Sequence, residues 1–224
     1  MANEPSPLIT VVPEQSSLVA HLTRRKTLTF KAHTTPFDAM DTQKYFYFIA
    51  QGRIKISQIH LQNAKEQTLS ILSRGDMYDV ITLLDDQAHE TIALTLEPTT
   101  LIQVPIEDVR ALIQKSPEFG AYFFPYLAKQ LRGMEDLAVD LSLYDVYERT
   151  LRLLERHVDT HDGTLYPIGD LSHEELAALL GTVRKVLNRD LQRLKAEGIV
   201  ELGRKNLRVK DIEKLFEKID LLES

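Results

Sequence analysis

Near Ile106 the hydrophobic period of the chain changes, and no other feature constrains its fold as strongly. From about Leu28 up to that point, apolar and β-branched residues come in short runs: KTLTF, KYFYFIA, RIKISQI, QTLSIL, ETIALTL and TLIQVPI. Val, Ile, Thr, Tyr and Phe suit a pleated, half-buried surface. Turn formers separate the runs at Pro36 and Asp38, Gln51-Gly52, Asn63, Arg74-Gly75-Asp76 and Glu97-Pro98. Strands at this spacing, with no long helix between them, predict an antiparallel jelly-roll barrel. Within it Ile54 and Ile56 alternate with Lys55 and Ser57, the pattern of a half-buried strand.

Beyond Ile106 the period is helical. Ser116-Pro117-Glu118 supplies an N-cap followed by Pro at the first helical position. From Pro125 to about Leu143, the residues Leu127, Leu131, Met134, Ala138 and Leu141 recur at steps of four, three, four and three. That narrow stripe predicts a coiled-coil seam, with Ala138 small enough for two helices to approach closely. Packing of the stripe on the chain's own barrel is the alternative. Asp145 then reads as a fresh N-cap, with Leu151, Leu154 and Val158 following. Asp162-Gly163 makes a turn, and Ser172-His173-Glu174-Glu175 is a capping box opening a helix over Glu174–Leu180. Gly181 interrupts, a second helix runs from about Arg184 to Glu197, and Gly198 stops it. IVELGRKNLRVKD predicts a β-hairpin turning near Gly203–Asn206, and Asp211–Glu223 a closing amphipathic helix.

Helix, short glycine turn, helix and hairpin form the winged helix-turn-helix pattern. Charge agrees. The 224-residue chain has a formal net charge of −6, yet Thr182 to Lys210 holds nine basic residues against three acidic ones. This stretch is therefore +6 and the remainder −12. An acidic body with one basic patch suits contact with a polyanion at one place, although a solvated helix face would carry the same charges. In the second helix Val186, Leu187, Leu191 and Leu194 can face a core, while Arg184, Lys185, Asn188, Arg189 and Gln192 fall outward. Arginine can bond guanine O6 and N7 as a fork, and asparagine can pair with adenine, in the major groove. Arg193, Arg204 and Lys205 are better placed for phosphates, which position without specifying.

Three classes drop out on composition. The chain has no cysteine, which excludes disulfides, cysteine-ligated zinc and iron–sulfur clusters. No run of 18 apolar residues occurs, and no basic stretch precedes an apolar one at the N-terminus, so a cytoplasmic protein is expected. A catalytic or metal site is not expected either. HxH and HExxH are absent, and a cupin-like enzyme would need clustered histidine and carboxylate ligands.

DLSHEELAALLGTVRKVLNRDLQRLKAEGIVEL resembles the helix-turn-helix of the cyclic-AMP receptor protein/FNR (Crp/Fnr) superfamily of bacterial transcription factors. SLYDVYERTLRLL resembles the hinge after that family's dimerisation helix, with Asp145 at the helix start. YFIAQGRIKI and LSRGDMYDVITLLDD resemble strands and turns of its effector barrel. The likeness covers about residues 23–210. It implies a homodimer joined through the long helix, carrying two winged domains to a pseudo-palindromic DNA site and contacting RNA polymerase if it activates. The expected organisation is an α+β chain. An irregular arm at 1–22, with Pro5, Pro7 and Pro13, precedes a cyclic-nucleotide-binding-like barrel at 23–124. A dimerisation helix at 125–143 and a winged helix-turn-helix at 144–224 follow. With Ser172, Thr182 and Val183 added, the residues named above make up the expected DNA face.

The departures from the family are informative. Nucleotide-binding members place a Gly-Glu pair soon after the Gly-Asp turn, for the ribose, and an Arg-Ser/Thr pair later, for the cyclic phosphate. Here Gly75-Asp76 is followed by Met77-Tyr78-Asp79-Val80, and the later site reads Ala88-His89-Glu90-Thr91. An acidic Glu90 where an arginine is needed would repel a phosphate, so an effector other than cyclic AMP is expected, near Met77, Tyr78, Asp79 and His89. Some members sense carbon monoxide or nitric oxide through a histidine-held heme. His33, His60 and His89 make that conceivable here, while His157, His161 and His173 read as structural or surface residues. In the reading helix, Arg184 and Arg189 match positions that contact guanines, but Lys185 stands where many members carry Glu. A β-domain whose helical tail binds a protein instead of DNA is the remaining rival.

Overall fold

The β-rich runs form strands, but the strands do not close on themselves. The computed structural model describes residues 24–62 and 65–221. The N-terminal arm and the Asn63 turn lie outside the described residues. Strands β1 (Lys26–Phe30), β2 (Tyr45–Gln51), β3 (Ile54–His60), β4 (Lys65–Leu72), β5 (Met77–Tyr78), β6 (Ile92–Thr95) and β7 (Thr99–Pro105) are interrupted only by short helices α1 (Ala39–Thr42) and α2 (Val80–Asp85). They make one four-stranded sheet in the order β1-β7-β2-β5 and one three-stranded sheet in the order β4-β3-β6.

The expected jelly-roll barrel is thereby corrected. A closed barrel has no edge strands, whereas β1 and β5 edge one sheet and β4 and β6 the other. The local cause is visible at β5. It pairs only Met77 and Tyr78 with Phe48 and Tyr47, because Gly75 turns the chain just before it and Asp79 caps α2 just after it.

The half-buried reading of β3 is corrected as well. Lys55 and Ser57 are as buried as Ile54 and Ile56. The Lys55 ammonium reaches the Glu66 carboxylate on β4 at 2.7 Å, which lets a charge occupy an interior face. Burial pushes the Glu66 carboxyl up, but Lys55 and the Ser57 hydroxyl more than offset it and leave it below its ordinary value.

Two compact units emerge. The first takes residues through Ile54 together with 72–90 and 94–125; the second takes 55–71, 91–93 and the described chain from Tyr126 on. The first is centred on aromatic residues. Phe46, Tyr47, Phe48, Phe119 and Phe123 are essentially inaccessible, and Phe37 stacks on Tyr47 and Tyr78 with centroids 4.5 and 4.6 Å apart. Gly52 has φ +85°, and a Cβ there would lie 2.7 Å from the Pro98 carbonyl oxygen, so this turn requires glycine.

Helices α3 (Ile106–Lys115) and α4 (Pro117–Leu143) follow. The Ser116 hydroxyl accepts from the Phe119 amide, as the cap predicts, and α4 passes through Pro125 as one 27-residue helix. The second unit continues with α5 (Val146–His157), α6 (His173–Leu179), α7 (Arg184–Ala196), β8 (Val200–Gly203), β9 (Asn206–Val209) and α8 (Ile212–Asp220). Its core takes Leu151 and Leu154 of α5, Leu176 of α6, Leu187, Leu191 and Leu194 of α7, and Leu215 of α8. Asp140, buried near the end of α4, accepts from Arg152 at 2.8 Å and from Arg156, tying α5 back to the helix before it. Among the described residues no helix is long and apolar enough to cross a membrane.

Candidate nucleic-acid interface

Local chemistry sets the start of each helix at this site. Asp145 and Glu148 form a capping box at α5, the Glu148 amide donating to Asp145 at 2.9 Å and the Asp145 amide to Glu148 at 2.8 Å. Ser172 and Glu175 do the same at α6. Gly181, at φ +64°, then turns the chain; a Cβ there would come within 2.7 Å of Leu141 and 2.8 Å of Gln67, whose amide donates to the Ala178 and Leu179 carbonyls. Val183 is the N-cap of α7 and makes no side-chain cap bond; its carbonyl accepts from the Val186 and Leu187 amides at 3.0 and 3.2 Å.

The expected inward face of α7 is buried at Leu187, Leu191 and Leu194, with Val186 half-buried. On the opposite side Val183, Arg184, Lys185, Arg189, Gln192 and Arg193 are exposed, while Thr182 and Asn188 are half-buried. Strands β8 and β9 pair antiparallel, from Val200 with Val209 to Gly203 with Asn206. Arg204 and Lys205 sit at the exposed turn between them. A cleft of about 290 Å3 lies between Ser172, His173 and Glu174 of the first helix, Arg184 of the second, and Gly203 and Lys205 of the hairpin.

Several of these cations already have partners. Arg184 Nη1 lies 2.7 Å from Glu174 Oε1, and Arg189 Nε lies 3.0 Å from Asp190 Oδ1 with the Arg189 side chain 74% exposed. Arg193 stacks over the Tyr147 ring at 4.0 Å and donates to Glu197 at 3.1 Å. Glu197 also takes Lys218 at 2.9 Å, and Lys218 and Arg193 together hold its carboxyl below the usual carboxylate range. Arg193 is thus built into a bridge joining α5, α7 and α8. His173, read from the sequence as structural or surface, contacts Asn188 through Nδ1 and lines the cleft. Its place one residue after the Ser172 cap was the available signal, because a first-turn side chain of α6 can reach α7.

The remaining expected sites lie elsewhere. Along α4, Leu127 is half-buried, and Leu131, Met134, Ala138 and Leu141 are exposed. In the first unit, Met77 and Tyr78 are buried strand residues. Asp79 is buried; its oxygens receive Thr82 Oγ1 at 2.7 Å and the Ile81 amide at 3.2 Å, and Oδ1 lies 3.1 Å from His89 Nδ1. His33 and His60 are exposed, and no cluster of three metal-ligating side chains occurs among the described residues.

The hydrogen bond to Asp79 raises the His89 pKa against the opposing pull of burial. A raised folded value means the pair's contribution is complete below the unfolded pKa, about 6.5, and is lost as pH rises through the folded one. Burial lowers the pKa of His157, so its effect has the opposite sign: stability falls as pH drops below about 6.5. Site-resolved NMR titration separates the two. In Asp79→Asn, which can still cap α2, the His89 midpoint is expected to fall while that of His157 stays in place.

Two family models match the chain. A cyclic nucleotide-binding domain matches residues 27–116 and a Crp-like helix-turn-helix domain residues 148–217. The cyclic AMP receptor protein of Thermus thermophilus is 32% identical over 176 residues, covering 76% of this chain and 77% of that protein. A CRP-like cAMP-activated global transcriptional regulator of Mycobacterium tuberculosis is 26% identical over 206 residues, covering 90% and 92%. Among solved structures, a CooA mutant from Carboxydothermus hydrogenoformans shares the fold with a TM-score of 0.73 at 21% identity, over 97% of this chain and 92% of that one. A Crp-type helix-turn-helix at the site just described, and a relative of this identity along three quarters of the sequence, lead to one assignment: the chain belongs to the Crp/Fnr superfamily of DNA-binding transcription regulators.

Proposed function

We propose that the protein acts as a homodimer in the bacterial cytoplasm, two copies meeting along the α4 stripe and placing two α7 helices on a pseudo-palindromic operator. The observation that carries this reading is the division of α7 into a buried leucine face and an exposed face bearing Arg184, Lys185 and Arg189. Arg184 and Arg189 read bases, with Lys185 beside them. Ser172, Thr182, Val183, Gln192, Arg193, Arg204 and Lys205 contact the backbone. Asn188 lies at the inner margin of this face. Asp145 is the hinge between α4 and the DNA-binding region, and an activator of this build would present RNA polymerase with a surface beside its operator.

The signal is one other than a cyclic nucleotide, received in the first unit around Asp79 and His89. Asp79 already engages Thr82, His89 and the Ile81 amide, Val80 offers no ribose acceptor, and the exposed Glu90 presents negative charge where a phosphate would need a cation. A single titration tests both parts: fluorescence anisotropy on duplex DNA across a salt series, with and without cyclic AMP. Each phosphate neutralised should steepen the log–log salt slope by about 0.9, and cyclic AMP should leave the affinity unchanged. A flat salt dependence would point to a protein partner, and a shift on adding cyclic AMP would overturn the effector reading.

A further inference from the structure

Glu174 is a carboxylate on a surface proposed to meet a polyanion, which makes its position notable. It lies in the first turn of α6, 2.7 Å from Arg184 Nη1, with both side chains 61% exposed. An acid in a first turn has an ordinary reason to be there, since the helix dipole favours negative charge at that end. The contact across to α7 has a second consequence. A guanidinium carries five N–H donors in a planar frame. With Nη1 held by Glu174, the Nε and Nη2 hydrogens remain free along one edge, and that edge is the two-donor fork that fits guanine O6 and N7. A long, flexible arginine is thereby restricted before it meets DNA, and the ordering cost of recognition falls. The carboxylate also cancels one positive charge that would otherwise attract phosphates on any sequence. Both effects favour discrimination over bare affinity.

We infer that Glu174 is a positioning residue for Arg184, raising the specificity of the reading helix at the base pair Arg184 reads. This rests on the proposal that α7 reads the operator. It adds a determinant from the other helix of the pair. The neighbouring contact of His173 with Asn188 runs between the same two helices, so α6 grips α7 at two adjacent points.

The test is a double-mutant cycle on the intact protein. The readout is the ratio of dissociation constants for the operator and for operators substituted at single base pairs, in which any uniform electrostatic change cancels. Glu174→Ala should reduce the ratio at the Arg184 base pair about fivefold. Glu174→Gln, whose amide oxygen still accepts a hydrogen bond, should retain most of it. With Arg184→Ala already present, Glu174→Ala should change nothing further. The inference is overturned if Glu174→Ala leaves that ratio intact, or if it lowers the ratio equally with alanine at 184, since Glu174 would then touch a base itself. If Arg184→Ala alone changes no base preference, the placement of α7 fails, and the role of Glu174 fails with it; a shift for Arg184→Ala but none for Glu174→Ala removes the inference only.

Discussion

Met134→Glu should convert the protein from dimer to monomer and abolish operator binding. Met134 stands in the middle of the α4 stripe, 51% exposed in the single chain. Leu131 is 59% and Leu141 40% exposed on the same stripe, as the four-three spacing requires. In the proposed dimer this apolar row is covered by a second copy of α4. In such a seam Met134 meets its own counterpart, so a glutamate there buries two like charges with nothing to neutralise them. The penalty is on the order of several kcal/mol, and each 1.4 kcal/mol is about a tenfold loss in association. The fold should survive, because the substituted side chain is not part of the single chain's core. Sedimentation velocity would show one species of half the mass with an unchanged circular-dichroism spectrum. A variant that still sediments as a dimer would mean that the stripe is covered by something else.

Elements controlled by neighbouring residues were the ones legible in the sequence. The Ser116, Asp145 and Ser172 caps, the glycine stops at 181 and 198, and the two-residue hairpin turn at Arg204-Lys205 each depend on chemistry within a few positions, and each stands where the pattern placed it. The misreadings all involve partners distant in sequence. Alternation marked Lys55 and Ser57 as solvent-facing, because the Glu66 that pairs with Lys55 sits across a hairpin. Arg193, expected at a phosphate, also stacks on Tyr147 of α5 and donates to Glu197, contacts that its position in the sequence did not indicate. Barrel closure was inferred from strand spacing, yet closure depends on which edges pair, and a two-residue β5 between a glycine turn and a helix cap offers little edge to pair with. At the proposed DNA face the sequence indicated the outward side of α7, whereas the contact of Glu174 on α6 with Arg184 on α7 appears only once the two helices are brought together.

Base reading and backbone positioning should separate cleanly between the reading helix and the hairpin. Arg184 and Arg189 are five residues apart, about 7.5 Å along the axis of α7, and both can enter one major groove from its N-terminal half. Their anchoring differs. Glu174 holds Arg184 from a neighbouring helix, whereas Arg189 is held through Nε by the buried Asp190, with its guanidinium end projecting into solvent. Truncating either to alanine should cost about 1–3 kcal/mol on the operator and relax discrimination at one base pair per half-site. Lys185 should matter less for specificity, since an ammonium is a point donor without a fork. Lys205 occupies the hairpin turn with a positive φ of 51°. Replacing it with alanine leaves the backbone demand of that turn unchanged, so the substitution reports mainly on charge. Its loss should weaken operator and random DNA alike and reduce the salt slope by about one. Binding selections on randomised operators with the four alanine variants give the answer directly. If Lys205→Ala changes the preferred sequence while Arg184→Ala and Arg189→Ala leave it untouched, the hairpin reads the bases and α7 only positions the domain.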